Sequence, residues 1–407
     1  MTPPRLVIID GLRTPFCRAG TDLAALPADE LGRIAVDALL TRTGLDPALI
    51  DEVIFGCVAQ PAEAANIARV IALRAGIPES VPAATVHRNC ASGFESFTTA
   101  YERMCAGRGS VFVVGGVESM SRVPLLFRDA TARKFAALAK SKSAPRKLSA
   151  LSSFRLADFE PRAGLKLGLT DPVSGLNMGE TAELLAREGN IDRWTQDAFA
   201  IRSHLRAIDA ETRLVEEICP VYLDGKVIAK DNGPRTDQTS ELLGGLRPVF
   251  EKYGSVTAGN SSQVTDGAVA LLVATEQRAA ELGFKPLGAL TGYAYSGCDP
   301  ARMGLGPVFA IDRAAKRCNL LPDDADLIEI NEAFAAQVLA VLQRVPIPNE
   351  KLNVNGGAIA LGHPVGATGA RLILTALKEL RRREAKRALV TLCVGGGQGG
   401  AIWLERI

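Results

Sequence analysis

The chain has 407 residues, of which 47% are apolar and 23% charged, and this is the composition of a globular protein. Its length exceeds that of one ordinary hydrophobic core, so two domains or one large duplicated unit are expected. The net charge of +2 gives no reason to expect nucleic acid as a partner.

The apolar and cysteine patterns narrow the class of protein further. No apolar run reaches the roughly 18–20 residues of a membrane-spanning helix, and the first residues lack the apolar core of a signal peptide, so a mature N-terminus is expected. The eight cysteines include no C-x-x-C pair, which argues against a zinc site and a disulfide framework. We therefore expect a reducing, cytoplasmic compartment and no bound metal.

The first part of the chain alternates strands and helices. RLVIID (residues 5–10) and EVIFG (52–56) are predicted strands, and the apolar residues between them recur at helical spacing. A second helical pattern runs from Phe94 to Cys105, and the strand VFVVGG follows a short basic link. Alternation of this kind predicts mostly parallel sheets covered by helices.

The middle of the chain, residues 122–250, differs from both ends. It is polar, punctuated by Pro and Gly, and basic over residues 122–166. An excursion of this size is expected to be functional.

The last part repeats the order of the first, about 275–280 residues later. A helical pattern, the strand LIEI, a second helical pattern, the basic link RRREAKR and the strand ALVTLCVGG follow one another. The repeat predicts an internal duplication. We expect an α/β protein with a five-layer αβαβα sandwich of two duplicated mixed-sheet halves, the first from residues 1–121 and 251–284 and the second from 285–407, with a large loop domain at 122–250.

Four residues stand where ligand chemistry gathers in α/β folds, at strand ends and helix starts. Cys90 precedes a helix, His363 lies in a Gly-Pro loop before the corresponding helix, Asn331 follows the strand LIEI, and Cys393 ends the last strand. Taken singly, each has a structural explanation: a cysteine packs as a small apolar side chain, and a lone histidine is often structural. A thiol at a helix start can also be a nucleophile, with an imidazole as its base.

Together these residues resemble the signature blocks of the thiolase family. The four blocks are NCASG at Cys90, NEAFA at Asn331, GGAIALGHPVGATGAR at His363 and CVGGGQG at Cys393. The segments GGVESMS, NMGETAE, LRPVF and TAGNSSQVTDGA match in family order. RKLSALSSFRL, KDNGPR and the long insertion are most similar to the β subunits of fatty-acid-oxidation trifunctional complexes, although those carry HEAF where this chain has NEAF.

The resemblance implies a role for each matching residue. Cys90 is the nucleophile that becomes acylated, and His363 activates it and contributes to an oxyanion hole. Asn331 holds a water that completes that hole. Cys393 is the acid and base, and the backbone N–H groups of Cys90 and Gly395 form a second oxyanion hole.

The resemblance also implies substrates and partners. Ser262 contacts the pantetheine of CoA, and Met178 lines the acyl pocket. The expected activity is CoA-dependent cleavage of a 3-ketoacyl-CoA to acyl-CoA and acetyl-CoA, or the reverse condensation, with CoA as a substrate and no bound cofactor. A homodimer or dimer of dimers and a β-oxidation α-subunit partner are expected. The alternatives are a ketoacyl-synthase-type condensing enzyme and a non-catalytic acyl-CoA or lipid carrier.

The other candidates have simpler interpretations. His87 and His204 are expected to be structural, and the six cysteines outside the blocks to be inert. The basic stretch 122–166 has three interpretations that remain open: a solvated face, a surface for the CoA phosphates, and a region that docks on a membrane or a partner.

Overall fold

A computed structural model describes residues 3–407 and divides them into two compact units. The larger unit runs up to Ser121 and resumes from Asp171 to Ile407, and the smaller one comprises Arg122–Thr170. Within the described residues, no helix has both the length and the apolar character to cross a membrane. The predicted limits of the loop domain, 122 and 250, stay a prediction.

Most strands belong to one mixed sheet. The strands are β1 Leu6–Arg13, β2 Cys17–Arg18, β3 Glu52–Gly56, β4 Ala83–Val86, β5 Val111–Ser119, β6 Leu125–Leu126, β7 Arg162–Ala163, β8 Val221–Leu223, β9 Lys226–Ile228, β10 Thr265–Thr275, β11 Gly288–Gly297, β12 Leu327–Ile330, β13 Arg387–Val394 and β14 Gln398–Glu405.

The helices follow in chain order. They are α1 Ala28–Thr43, α2 Ile67–Arg74, α3 Ser92–Cys105, α4 Asp129–Lys140, α5 Ala144–Ser152, α6 Gly164–Gly168, α7 Met178–Glu188, α8 Arg193–Asp209, α9 Glu211–Leu214, α10 Ser240–Gly244, α11 Glu276–Glu281, α12 Gly306–Cys318, α13 Ala335–Leu342, α14 Ala358–Leu361 and α15 Thr368–Arg382.

The pairing of the strands repeats, as the internal duplication predicts. In the first half β1 pairs antiparallel with β10, β10 antiparallel with β5, β5 parallel with β3, and β3 parallel with β4. In the second half β11, β14, β13 and β12 pair in the same senses, and Leu352 bridges β12 in parallel where β4 would stand. The two halves meet where β1 pairs with β11.

The expectation of mostly parallel sheets is wrong. Within the described residues, parallel ladders are confined to β3–β4, β3–β5 and β12–β13. The first and last strands of each half, β1 with β10 and β11 with β14, run antiparallel. Alternation of strands and helices predicts parallel neighbours only where a helix crosses between them, and no pattern in the sequence shows where the last strand returns beside the first.

Alternate residues of a strand pack against helices on opposite faces of the sheet, which confirms the predicted five-layer sandwich. Val53 and Phe55 of β3 pack with α1 and α2, whereas Ile54 between them packs with α3 and α15. In the second half Val390 of β13 faces α15, and Leu389 faces the outer helices α12 and α13. The layers are therefore outer helices, a sheet, the central pair α3 and α15, a second sheet, and outer helices.

The two central helices cross at a pair of glycines at their N-terminal ends. A Cβ on Gly93 would lie 2.6 Å from the backbone nitrogen of Ala370, and one on Gly369 would lie 2.5 Å from the backbone nitrogen of Phe94. Neither position has room for a side chain, because the neighbour at each is backbone. The crossing brings the segment before α3 beside the segment before α15.

The smaller unit is basic and has its own aromatic cluster. Residues 122–170 contain eleven Lys and Arg against three Asp and Glu, a net charge of +8 in a chain whose total is +2. Phe135 of α4 contacts Phe127, Phe154 and Phe159. The longest helices of the smaller unit are α4 and α5.

We expect Gly93→Ala and Gly369→Ala each to destabilise the fold by about 1–3 kcal/mol, because the new methyl group meets backbone that has nowhere to move. Gly244→Ala is the matched control, since a Cβ there meets nothing within 4 Å. Thermal unfolding of the three variants measures the effect. Midpoints of Gly93→Ala and Gly369→Ala equal to that of the control would contradict the close crossing.

Candidate active site

Cys90 lies in the tight turn between β4 and α3 and is half-buried. Asn89 before it has φ 42°, a left-handed conformation that asparagine tolerates better than most residues. The Ser92 side chain closes the turn, since its Oγ accepts from Arg88 N at 2.9 Å and donates to Asn89 O at 2.7 Å. The turn fixes the sulfur two residues before the first helical residue.

The loop after β13 meets this turn. Asn89 Nδ2 donates to Gly395 O at 2.7 Å, which holds the loop against the turn. Burial raises the pKa of the Cys90 thiol, and the Glu118 carboxylate raises it further, whereas the N–H groups of Gly395 and of Cys90 itself lower it. The net shift is upward, so the resting group is a thiol that needs a base.

Cys393 is the penultimate residue of β13 and is fully buried. Burial raises the pKa of its thiol well above the ordinary value, and the neighbouring Cys90 raises it further. Cys393 also packs in an apolar cluster with Met178, Met303 and Phe334. Both thiols are therefore protonated at rest, and Cys393 lies against an apolar wall.

His363 lies in the loop between α14 and α15 and is 7% exposed. Its Nδ1 is 2.6 Å from Thr368 Oγ1, and that hydroxyl donates to Pro364 O at 3.0 Å. Because the hydroxyl proton is used on the carbonyl, its oxygen accepts from Nδ1–H, which assigns the tautomer and leaves Nε2 unprotonated. Burial, assisted by the positive charge of Arg371, lowers the pKa of His363 to about 4, so the ring is neutral near pH 7.

Asn331 follows β12 and faces the imidazole. Its Nδ2 is 3.4 Å from His363 Nε2, and its buried Oδ1 has no hydrogen-bond partner within the described residues. The next residue, Glu332, accepts from Ser203 Oγ, Asn353 Nδ2 and Ile359 N. Glu332 thus joins the Asn331 turn to the segment that leads into His363.

Ser262 and Met178 each lie beside a segment that carries one of these residues. Ser262 N donates to Ala333 O at 2.9 Å, so the Ser262 loop is joined to the turn that carries Asn331. Met178 begins α7, and its sulfur lies 3.3 Å from the point where a Cβ on Gly395 would stand. A side chain at 395 would therefore crowd the Met178 sulfur.

The other two histidines and the cysteines predicted to be inert lie outside the group formed by Cys90, Asn331, His363 and Cys393. His87 is exposed, and His204 on α8 is buried with its Nδ1 accepting from Arg235 N at 3.2 Å. Burial, and then the charge of Arg235, lower the pKa of His204 to about 4. Among the cysteines predicted to be inert, Cys57 is close to the site, with its sulfur 3.7 Å from Glu118 Oε1. Over residues 3–407, no group of His, Cys, Asp and Glu is placed to hold a metal ion.

Sequence reasoning missed the residues that orient His363. Thr368 fixes the tautomer, and Arg371, one turn further along α15, acts on the ring by its charge. A signal was present: Thr368 is the hydroxyl residue of the GATG segment, placed as the first residue of a helix. Its contact with the imidazole depends on the fold of the intervening loop, which spacing alone does not give.

Comparisons with known proteins identify the family. Residues 6–277 match the thiolase N-terminal domain and residues 284–406 the thiolase C-terminal domain. The chain is 40% identical over 410 residues, 99% of each chain, to an acetyl-CoA acetyltransferase of Allochromatium vinosum. It is 41% identical over 403 residues, 97% of each chain, to a probable acetyl-CoA acyltransferase of Staphylococcus epidermidis.

Solved structures agree. The acetyl-CoA acetyltransferase of Bacillus anthracis superposes with a TM-score of 0.91 at 38% identity over 99% of each chain. Human mitochondrial 3-ketoacyl-CoA thiolase in complex with CoA superposes with a TM-score of 0.90 at 37% identity over 99% of this chain and 98% of that one. The resemblance seen in the sequence is thereby confirmed: the chain belongs to the thiolase family.

Proposed function

We propose that the reaction of this thiolase passes through an acyl group on the sulfur of Cys90. As an acyltransferase, the chain catalyses reversible CoA-dependent cleavage of a 3-ketoacyl-CoA to acyl-CoA and acetyl-CoA, or the reverse condensation. The observation that carries the proposal is the hydrogen bond from Asn89 Nδ2 to Gly395 O at 2.7 Å, since it holds the loop after β13 in one half of the chain against the turn that carries Cys90 in the other.

The first half-reaction begins with a proton transfer. His363 Nε2 takes the proton of Cys90, and the thiolate attacks the 3-keto carbon of the substrate. The bond between C2 and C3 breaks, the acyl group stays on Cys90, and Cys393 gives its proton to the acetyl-CoA enolate. The second half-reaction reverses the order: the Cys393 thiolate takes the proton of CoA, whose sulfur attacks the acyl carbon, and Cys90 leaves and regains its proton from His363.

Two donor sets are proposed for the developing oxyanions. The N–H groups of Cys90 and Gly395, both of which lower the pKa of the Cys90 thiol, serve the oxygen of the acyl group on that sulfur. Asn331, through a water on its buried Oδ1, and protonated His363 serve the thioester oxygen. Each step moves only protons and acyl groups, so the proposed reaction needs CoA as a substrate and no bound redox cofactor.

We propose that Ser262 contacts the pantetheine of CoA and that Met178 lines the acyl pocket. Support comes from their positions: the Ser262 loop is joined to the Asn331 turn, and Met178 packs with Cys393. The proposed context is fatty-acid β-oxidation in a reducing, cytoplasmic compartment. All eight cysteines are free thiols, which favours that compartment.

A homodimer, or a dimer of such dimers, is the proposed assembly. The edge strand β4, whose four residues are all half-buried, ends three residues before Asn89 and Cys90 and offers unpaired backbone to a second sheet. A dimer formed there would cover the turn that carries the nucleophile.

Residues 122–166 are proposed to contact an anionic membrane surface. The net charge of +8 over residues 122–170 supports this, as do large exposed apolar side chains, among them Leu148 at 70% and Leu156 at 93% exposure. A β-oxidation α subunit is the other partner that this surface suits.

Incubation with acetyl-CoA should place one acetyl group on the peptide that contains Cys90, and Cys90→Ser should prevent it. Cys393→Ala should lower kcat for thiolysis by about 10²–10⁴, the usual contribution of a general acid and base. Cys219→Ala, which removes another buried thiol, is the control and should keep its activity. Peptide mass spectrometry and steady-state assays measure the two effects.

Three results would contradict these assignments. A wild-type protein without the acetyl group would be a carrier. A Cys393→Ala variant that still condenses at the wild-type rate would indicate a ketoacyl-synthase-type enzyme. Loss of activity in Cys219→Ala equal to that in Cys393→Ala would show a general sensitivity to lost thiols.

Thr368→Val should lower kcat by about tenfold or more, because the buried Nδ1–H of His363 loses its acceptor and the tautomer with a free Nε2 is no longer favoured. Thr368→Ser keeps the hydroxyl and should restore most of the rate. Steady-state kinetics of the three proteins give the comparison. Equal rates for Val and Ser at 368 would rule out the hydroxyl as the group that orients the ring.

Vesicles of phosphatidylcholine and phosphatidylserine should sediment the wild-type protein, and vesicles of phosphatidylcholine alone should not. Reversing Arg146 and Lys147 to Glu should weaken binding by tenfold or more, since each basic residue near such a surface contributes about 1 kcal/mol. Reversal of Lys226 and Lys252, outside residues 122–170, is the control for net charge. If the protein bound neither kind of vesicle, the membrane interpretation of residues 122–166 would be wrong, and a protein partner or a solvated face would remain.

A further inference from the structure

The duplicated halves place Glu118 at the counterpart of Cys393. The last residue of β3 pairs with Gly116 of β5, and the last residue of β12 pairs with Thr391 of β13. Two residues beyond these partners stand Glu118 in the first half and Cys393 in the second. A carboxylate therefore occupies the position at which the other half carries its second thiol.

The central helices give a second equivalence. Gly93 of α3 and Gly369 of α15 face each other at the crossing, and three residues before them stand Cys90 and Gly366. Gly366 is thus the counterpart of Cys90. In the second half, the pKa of the Cys393 thiol is raised by Cys90 of the first half. In the first half, the Glu118 carboxylate accepts a hydrogen bond from N of Gly366 in the second half.

Glu118 joins loops from both halves. Its side chain is 1% exposed, and its Oε2 accepts from Gly366 N at 2.9 Å and from Val58 N at 3.1 Å. Its Oε1 accepts from Ala59 N at 2.9 Å. Gly366 lies three residues after His363, so the carboxylate ties the histidine loop of the second half to a loop of the first.

We propose that Glu118 is a positioning residue, whose buried carboxylate holds the His363 loop against the half of the chain that carries Cys90. The inference rests on the proposed roles of those two residues. A buried carboxylate with three N–H donors is costly to move, because any displacement leaves its charge without partners. The loop that presents His363 is therefore fixed by a group from the opposite half.

The same carboxylate has an electrical effect on the nucleophile. Its charge raises the pKa of Cys90, in addition to the larger effect of burial. Its removal would lower that pKa, so thiolate would form at lower pH. The charged and titratable groups around the two residues are Glu118 on β5, Cys57 after β3, Cys393 on β13, His363 before α15, and the ion pair of Arg88 with Glu95 beside Cys90 itself.

Two substitutions separate position from charge. Glu118→Gln keeps the shape and removes the charge, and its NH₂ group opposes N–H donors that need an acceptor. We expect kcat to fall about tenfold or more, with KM for CoA changed far less, since loss of alignment slows the chemical step. We also expect the pH profile of Cys90 alkylation by iodoacetamide to shift to lower pH.

Glu118→Asp keeps the charge and shortens the reach. We expect kcat to fall as well, but the alkylation profile to stay near that of the wild type. Glu183→Gln is the matched control, since Glu183 is a carboxylate with 1% exposure that accepts from Ser255 N and Val256 N. It should lower the thermal midpoint without moving the alkylation profile.

The outcomes decide the proposal even where a variant is unstable. If Glu118→Gln does not fold, the fall in kcat of Glu118→Asp with an unmoved alkylation profile still supports it. If kcat of both variants stays within about twofold of wild type, or KM for CoA rises in place of the fall in kcat, Glu118 does not position the loop. Acetylation of wild-type Cys90, measured in parallel, shows separately whether the proposed function itself holds.

Discussion

The structure depends on the contact between two helix starts at the centre of the sandwich. Gly93 and Gly369 let the backbones of α3 and α15 approach until each occupies the space of the other's side chain. Because a thiol precedes one helix and an imidazole precedes the other, this packing constraint also brings the segment that carries Cys90 beside the segment that carries His363. The two layers of sheet and the outer helices then enclose that point and remove it from water.

Enclosure sets the protonation states on which the chemistry relies. Burial keeps both thiols protonated and the imidazole neutral, so Cys90, Cys393 and His363 are all uncharged at rest. The Thr368 hydroxyl accepts a hydrogen bond from Nδ1–H of the imidazole, and the N–H of Gly395 lowers the pKa of the Cys90 thiol. The site is thus built to create charge only when a substrate brings a carbonyl that can accept it.

Charge is distributed unevenly along the chain. Residues 122–170 carry +8, whereas the whole chain carries +2, so the remainder is acidic on balance. The acidic groups that matter to the fold are buried acceptors, as Glu118 and Glu332 show, each of which accepts hydrogen bonds from more than one segment. The smaller unit instead carries its basic groups together with large exposed apolar side chains.

The sequence by itself determined the family, the duplication and the four blocks at Cys90, Asn331, His363 and Cys393, because helical spacing, strand runs and block order are written along the chain. It did not determine which strands run antiparallel, that burial raises the pKa of the Cys90 thiol, or that Thr368 fixes the tautomer of His363. Those properties depend on burial and on hydrogen bonds between segments hundreds of residues apart. They exist only once tertiary packing has removed the groups from water and set them against one another.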